Sequence, residues 1–96
     1  MDKRRKHFDA AADARLRQEL YAAVAANTIT IAEAVKTMRR ASHLTQVEFA
    51  AHRGISPQAL RQVEYGTGNP TVETLNKIAS VFGLEVGFVP KRQARR

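Results

Sequence analysis

Between residues 8 and 26 the apolar side chains return every fourth position, at Phe8, Ala12, Leu16, Leu20 and Val24, with Tyr21 and Ala23 beside the stripe. The intervening positions are rich in alanine, arginine and glutamate, all good helix formers, and the spacing predicts a helix from Phe8 to Ala26. A step of four residues drifts by about 40° per step on an α-helix, so the stripe winds around the helix rather than forming a straight seam. Such a helix either covers a small domain or contacts a second chain. Asn27 and Thr28 interrupt the pattern. Thr30, with Glu33 three residues on, forms a capping box that starts a second helix, running through Met38 to about Ala41. The alternation in residues 28–31 (TITI) also admits a short strand.

The next window, LTQVEFAAHRGISPQALRQVEYG over residues 44–66, holds two short apolar sets separated by a glycine. Leu44, Val47 and Ala50 form the first, and Ile55, Leu60 and Val63 the second, with Gly54 between them. Thr45 and Glu48 make a second capping box. Ser56 is a natural N-cap, and Pro57 occupies the first helical position, where a missing N–H costs nothing. Helices over residues 46–52 and 57–64, joined by a tight turn, are the sequence form of a helix-turn-helix.

Downstream, Tyr65-Gly66-Thr67-Gly68-Asn69-Pro70 is dense in turn formers. Thr71 caps a helix from Val72 to Phe82, closed by Gly83, whose apolar face is Leu75, Ile78, Ala79 and Phe82. Leu84, Val86 and Phe88 then alternate with Glu85 and Gly87 as a short strand stopped by Pro90. An unpaired strand edge exposes backbone donors and acceptors. Pairing with the same strand of a second copy around a twofold axis satisfies it, and the TITI segment is the alternative partner.

The run Leu44-Thr45-Gln46, Glu48-Phe49-Ala50, Gly54-Ile55-Ser56, Leu60, Val63-Glu64, Gly66 and Asn69-Pro70-Thr71, ahead of Leu75 and Ala79, resembles the helix-turn-helix family of phage lambda repressor and Cro, often called the XRE family. The likeness extends from about Ile31 to Leu84. It implies an all-α, lambda-repressor-like domain, here with an extra N-terminal helix and a short C-terminal strand paired across a dimer. The expected organisation is a basic tail (1–7), the N-terminal helix (8–27), the helix-turn-helix domain (28–84), the strand (85–90) and a second basic tail (91–96). Many relatives carry glycine after the first core helix where this chain has His43, a residue type that tolerates the left-handed conformation.

The resemblance also implies roles for particular residues. Residues 57–64 become the recognition helix, whose N-terminal half enters the major groove. Gln58 and Gln62 suit adenine, Arg61 guanine or a phosphate, and Ala59 a thymine methyl. Gln46 and Pro57, at two helix starts, fall among the phosphate contacts. Thr67, Gly68 and Asn69 are either phosphate contacts or a plain turn. Arg39 and Glu64 match a family ion pair that is structural, and Leu84, Val86 and Phe88 form the dimer strand. Two functions fit: a sequence-specific regulator, most simply a repressor, reading a palindromic operator in double-stranded DNA as a homodimer; or an antitoxin that neutralises a toxin protein and controls its own operon. The strand loosely resembles that of Hip-type antitoxins.

Charge adds one point. The 96 residues carry a net charge of +7. Lys3, Arg4, Arg5 and Lys6 against Asp2 give +3, Lys91, Arg92, Arg95 and Arg96 give +4, and the remaining residues balance. Basic arms beside a docked domain hold phosphates, though such ends are also simply solvated. There is no cysteine, so neither a disulfide nor a thiolate metal site is available. His7, His43 and His52 lack ligand spacing, no glycine-rich phosphate loop follows a strand, and Ser56 has no neighbouring base. A non-enzyme without metal or cofactor is expected. With no apolar run long enough to span a bilayer and no signal peptide, a cytoplasmic location is expected as well.

Overall fold

The computed structural model describes residues 9–91. Phe8, His7 and the basic residues Lys3, Arg4, Arg5, Lys6, Arg92, Arg95 and Arg96 lie outside that range. Five α-helices and one 3-10 turn make up the described chain: α1 (Ala10–Ala26), α2 (Ile31–Ser42), α3 (Gln46–Arg53), α4 (Pro57–Tyr65), α5 (Val72–Ala79) and the turn Ser80–Phe82. Each helix starts on a side-chain cap. The Asp9 carboxylate accepts the N–H groups of Ala11 and Ala12, both at 3.1 Å. Both arms of the two capping boxes are formed, at 3.0 and 3.1 Å for Thr30–Glu33 and 2.9 and 3.1 Å for Thr45–Glu48. Ser56 and Thr71 each accept an N–H three residues on, at 3.0 Å. These caps satisfy donors that the helical ladder leaves free.

α2 lies at the centre, packed against α1, α3 and α4. Phe49, Leu60 and Ile78 are fully buried, and Leu20, Val35, Met38, Ala50, Val63 and Leu75 close around them. α1 joins this core through Leu20 and half-buried Val24. It is tied further by the Tyr21 hydroxyl, which donates to the Phe82 carbonyl at 2.9 Å, and by Asp13, whose carboxylate meets His43 Nε2 at 2.9 Å. His43 itself closes α2 in the left-handed conformation, with φ 58° and ψ 38°.

The structure differs from the sequence reading in three places. Val47 is 59% exposed, and Phe49 takes the core position expected of it, because α3 buries the face through Phe49 and Ala50. The helix expected over 72–82 tightens after Ala79 into the 3-10 turn before Gly83. Most importantly, no strand forms among the described residues: Leu84, Val86 and Phe88 lie in extended coil, and residues 28–30 form a turn and a cap. A strand needs a neighbouring edge, and here the segment is held by side chains instead. Val86 N–H donates to Asn76 Oδ1 at 2.8 Å, and Asn27 Nδ2 donates to the Pro90 carbonyl at 2.8 Å. The segment thus walls an open groove of ≈ 690 Å³ lined mostly by aliphatic side chains, among them Val24, Ile29, Ile31, Leu75, Leu84 and Val86.

Candidate nucleic-acid interface

The position of α4 follows from which of its residues are apolar. Leu60, Val63 and Glu64 are buried, so the helix is fixed by one face. At 100° per residue, Gln58, Arg61, Gln62 and Tyr65 fall within an arc of about 100° on the opposite face, and all four are exposed. Pro57 and Ala59 flank this stripe, half-buried. Tyr65 is the member that sequence reasoning missed, having been read as the start of the loop. Its spacing of three and four from Gln62 and Arg61 carried the signal. α3 and α4 are joined through Gly54 at φ 71°, followed at once by the Ser56 cap.

The buried end of α4 is held by charge. Arg39 Nε donates to Glu64 Oε2 at 2.7 Å and Nη2 to Oε1 at 3.0 Å, a two-pronged pair with the carboxylate almost wholly enclosed. A third arm of the guanidinium reaches the Leu44 carbonyl at 3.3 Å. Burial opposes ionisation of Glu64. The hydrogen bonds from Arg39 and Gln46, with the charges of Arg39 and Lys36, outweigh it and hold the carboxyl below the usual carboxylate range. The same bond raises the affinity of Arg39 for its proton. The pair links α2 directly to α4.

Gln46 belongs to this network: its Nε2 donates to Glu64 Oε1 at 3.0 Å. The side chain expected to meet a phosphate thus commits one of its two amide N–H donors within the chain and braces the start of α3 against α4. Arg53, at the end of α3, stacks its guanidinium 4.2 Å from the centre of the Phe49 ring, and burial lowers its proton affinity. Its Nε is buried without a hydrogen-bond partner, so this arginine contributes chiefly as a lid on Phe49.

The loop after α4 folds back on it. Gly66 closes the helix at φ 75°, and Thr67 N–H donates to the Gln62 carbonyl at 2.9 Å. Gly68, at φ 72°, lies under the Gln62 side chain. Thr67, Gly68 and Asn69 are all exposed beside the outer stripe of α4; Lys91, at the end of the described chain, is exposed as well. No cluster of metal-ligating side chains occurs among the described residues, and His43 is engaged with Asp13. No described helix is long and apolar enough to cross a membrane.

Two short capped helices, the second locked by its inner face and polar on its outer one, match a known family over residues 35–89, described as helix-turn-helix. The chain belongs to the XRE-type helix-turn-helix family. In this helix-turn-helix domain the match runs from within α2 to the extended segment, so α1 lies outside it. The domain is similar to an immunity repressor protein of Bacillus phage phi105, with 30% identity over 61 residues, covering 64% of this chain and 42% of the relative. It is also similar to the uncharacterized HTH-type transcriptional regulator y4dJ of Sinorhizobium fredii, with 45% identity over 47 residues, covering 49% of this chain and 61% of the relative. The chain thus spans less than two thirds of either relative. No solved structure matches it.

Proposed function

We propose that the chain is a sequence-specific DNA-binding transcriptional regulator, most simply a repressor, that reads a palindromic operator as a homodimer. The observation that carries this reading is the outer stripe of α4. Gln58, Arg61 and Gln62 stand exposed on a helix whose other face is fixed by Leu60, Val63 and the Arg39–Glu64 pair. A rigid helix with amide and guanidinium groups on one edge has the donors and acceptors to read base edges in a major groove. Thr67, Gly68, Asn69 and the start of α3 flank it as phosphate contacts, and the basic ends add sequence-independent attraction. The names of the relatives, an immunity repressor and a transcriptional regulator, agree with this reading.

The homodimer is supported by the apolar groove and by the segment that walls it. Phe88 is fully exposed, and Val86 and Val89 are exposed beside it, an expensive arrangement for a lone chain in water. A second copy packed across residues 84–89 removes this surface and supplies the second recognition helix that a palindrome requires. Selection of binding sites from a random duplex pool at physiological salt tests the whole proposal. An enriched palindrome with half-site centres about 10 bp apart is expected. Binding that is only salt-labile, with no enrichment, would sink it and direct attention to a protein partner such as a toxin.

A further inference from the structure

We propose that Gly68 is a positioning residue for specificity: the missing side chain leaves the seat in which Gln62 is held, so that the loop after α4 sets how Gln62 meets a base. This rests on the reading of Gln62 as a base contact. The geometry is direct. A Cβ placed on Gly68 would lie 2.7 Å from Gln62 Oε1, 3.2 Å from its Cδ and 3.5 Å from its Cβ. The glutamine therefore lies along the Gly68 backbone over its whole length rather than extending freely into solvent. Gln62 is held from its other end by the same loop, because its carbonyl accepts Thr67 N–H at 2.9 Å. Loop and side chain form one unit.

The φ of 72° at Gly68 explains why the loop can pass so close, since L-residues rarely take that conformation. A methyl group there meets the far end of a flexible side chain, which can turn away. The expected consequence is a re-aimed Gln62 on an intact domain. An amide pre-set by its surroundings loses less freedom on binding than a free one, so its contact discriminates more sharply.

The test is a base-preference profile across all single-base variants of the selected operator, measured for wild type, Gly68→Ala, Gly68→Asn, Gln62→Ala and Gln62→Ala combined with Gly68→Ala. Gly68→Ala should change discrimination about tenfold at the base pair that Gln62→Ala also affects, and nowhere else. In the Gln62→Ala background the glycine substitution should have no further effect on preference. Gly68→Asn carries the same Cβ but tolerates positive φ, so it should reproduce the change even where the alanine variant folds poorly. A uniform loss with base preferences unchanged, or a change in preference that persists without Gln62, would overturn the positioning role and leave Gly68 a phosphate contact alone. If Gln62→Ala alters no base preference, or the wild-type protein has none, the base-reading assignment fails first and this role fails with it. In the free protein, nuclear Overhauser contacts between the Gln62 side-chain amide and the Gly68 α-protons are expected, and their absence would overturn the seat itself.

Discussion

Glu64 is the residue on which most of the architecture converges, because its carboxylate receives Arg39 from α2 and Gln46 from α3 while its backbone belongs to α4. At 2% exposure it is a charge that the interior tolerates only while those donors remain. Arg39→Ala should accordingly cost about 3 kcal/mol in urea unfolding, softened by the Gln46 amide that stays in place. The pair also makes an acid-dependence prediction. Its folded-state carboxyl titrates below the unfolded value of about 4.3, so the stability it adds is fully present above that value and is lost as pH falls through the folded one. In Arg39→Ala, burial acts with less opposition and the carboxyl takes up its proton at higher pH. The acid limb of a melting-temperature profile should shift upward from that of wild type; an unmoved limb would mean that other carboxylates govern acid unfolding.

At the scale of elements, α1 packs along α2 yet buries very little of its own surface. Leu20 is its one buried side chain, supported by the Asp13–His43 and Tyr21–Phe82 contacts. Leu20→Ala should cost about 2–5 kcal/mol and release α1 amides to hydrogen exchange before those of α4. Equal loss of protection in both helices would mean that α1 is integral to the domain. His43 poses a sharper case, since its left-handed backbone favours glycine while its ring holds Asp13. In an Asp13→Ala background, where the carboxylate is gone, His43→Gly should raise stability by about 1 kcal/mol through relief of that backbone; a loss in thermal melts would show that the ring's other contacts outweigh it. These elements also show what a sequence discloses. The caps at Thr30, Thr45, Ser56 and Thr71 were legible because a cap is a local bargain between residues three apart. Val47 and Phe49 were harder, as both are apolar and only the packing of α3 against its neighbours decides which turns inward. The strand at Leu84–Phe88 failed because alternation states what a strand would look like, not whether an edge is there to receive it. At the site, the outer stripe of α4 was legible from its period, except for Tyr65. The seat of Gln62 on Gly68 and the capture of Gln46 by Glu64 depend on side-chain directions that spacing does not encode.

For the whole molecule the open question of assembly turns on a single exposed ring. Val86 is an ambiguous probe of the proposed dimer, because its N–H is bonded to Asn76 and its side chain lines the groove, so Val86→Asp threatens the fold as well as the interface. Phe88 is different. It borders the same groove but is fully exposed in the single chain and makes no backbone bond to Asn76, so replacing it should cost the isolated fold little. Burying a phenylalanine side chain between two copies is worth about 1.5–3 kcal/mol, and twofold symmetry counts it twice. Phe88→Asp should therefore weaken association by about 3–6 kcal/mol, more than a hundredfold in the dissociation constant. Its melting temperature at dilutions where both proteins are monomeric should stay unchanged. Sedimentation at matched concentrations reads the first effect and a dilute thermal melt the second. A mutant that remains dimeric would exclude residues 84–89 from the interface. A mutant that is monomeric yet keeps full affinity for a palindromic site would separate operator reading from dimerisation, and would leave the apolar groove to a different partner.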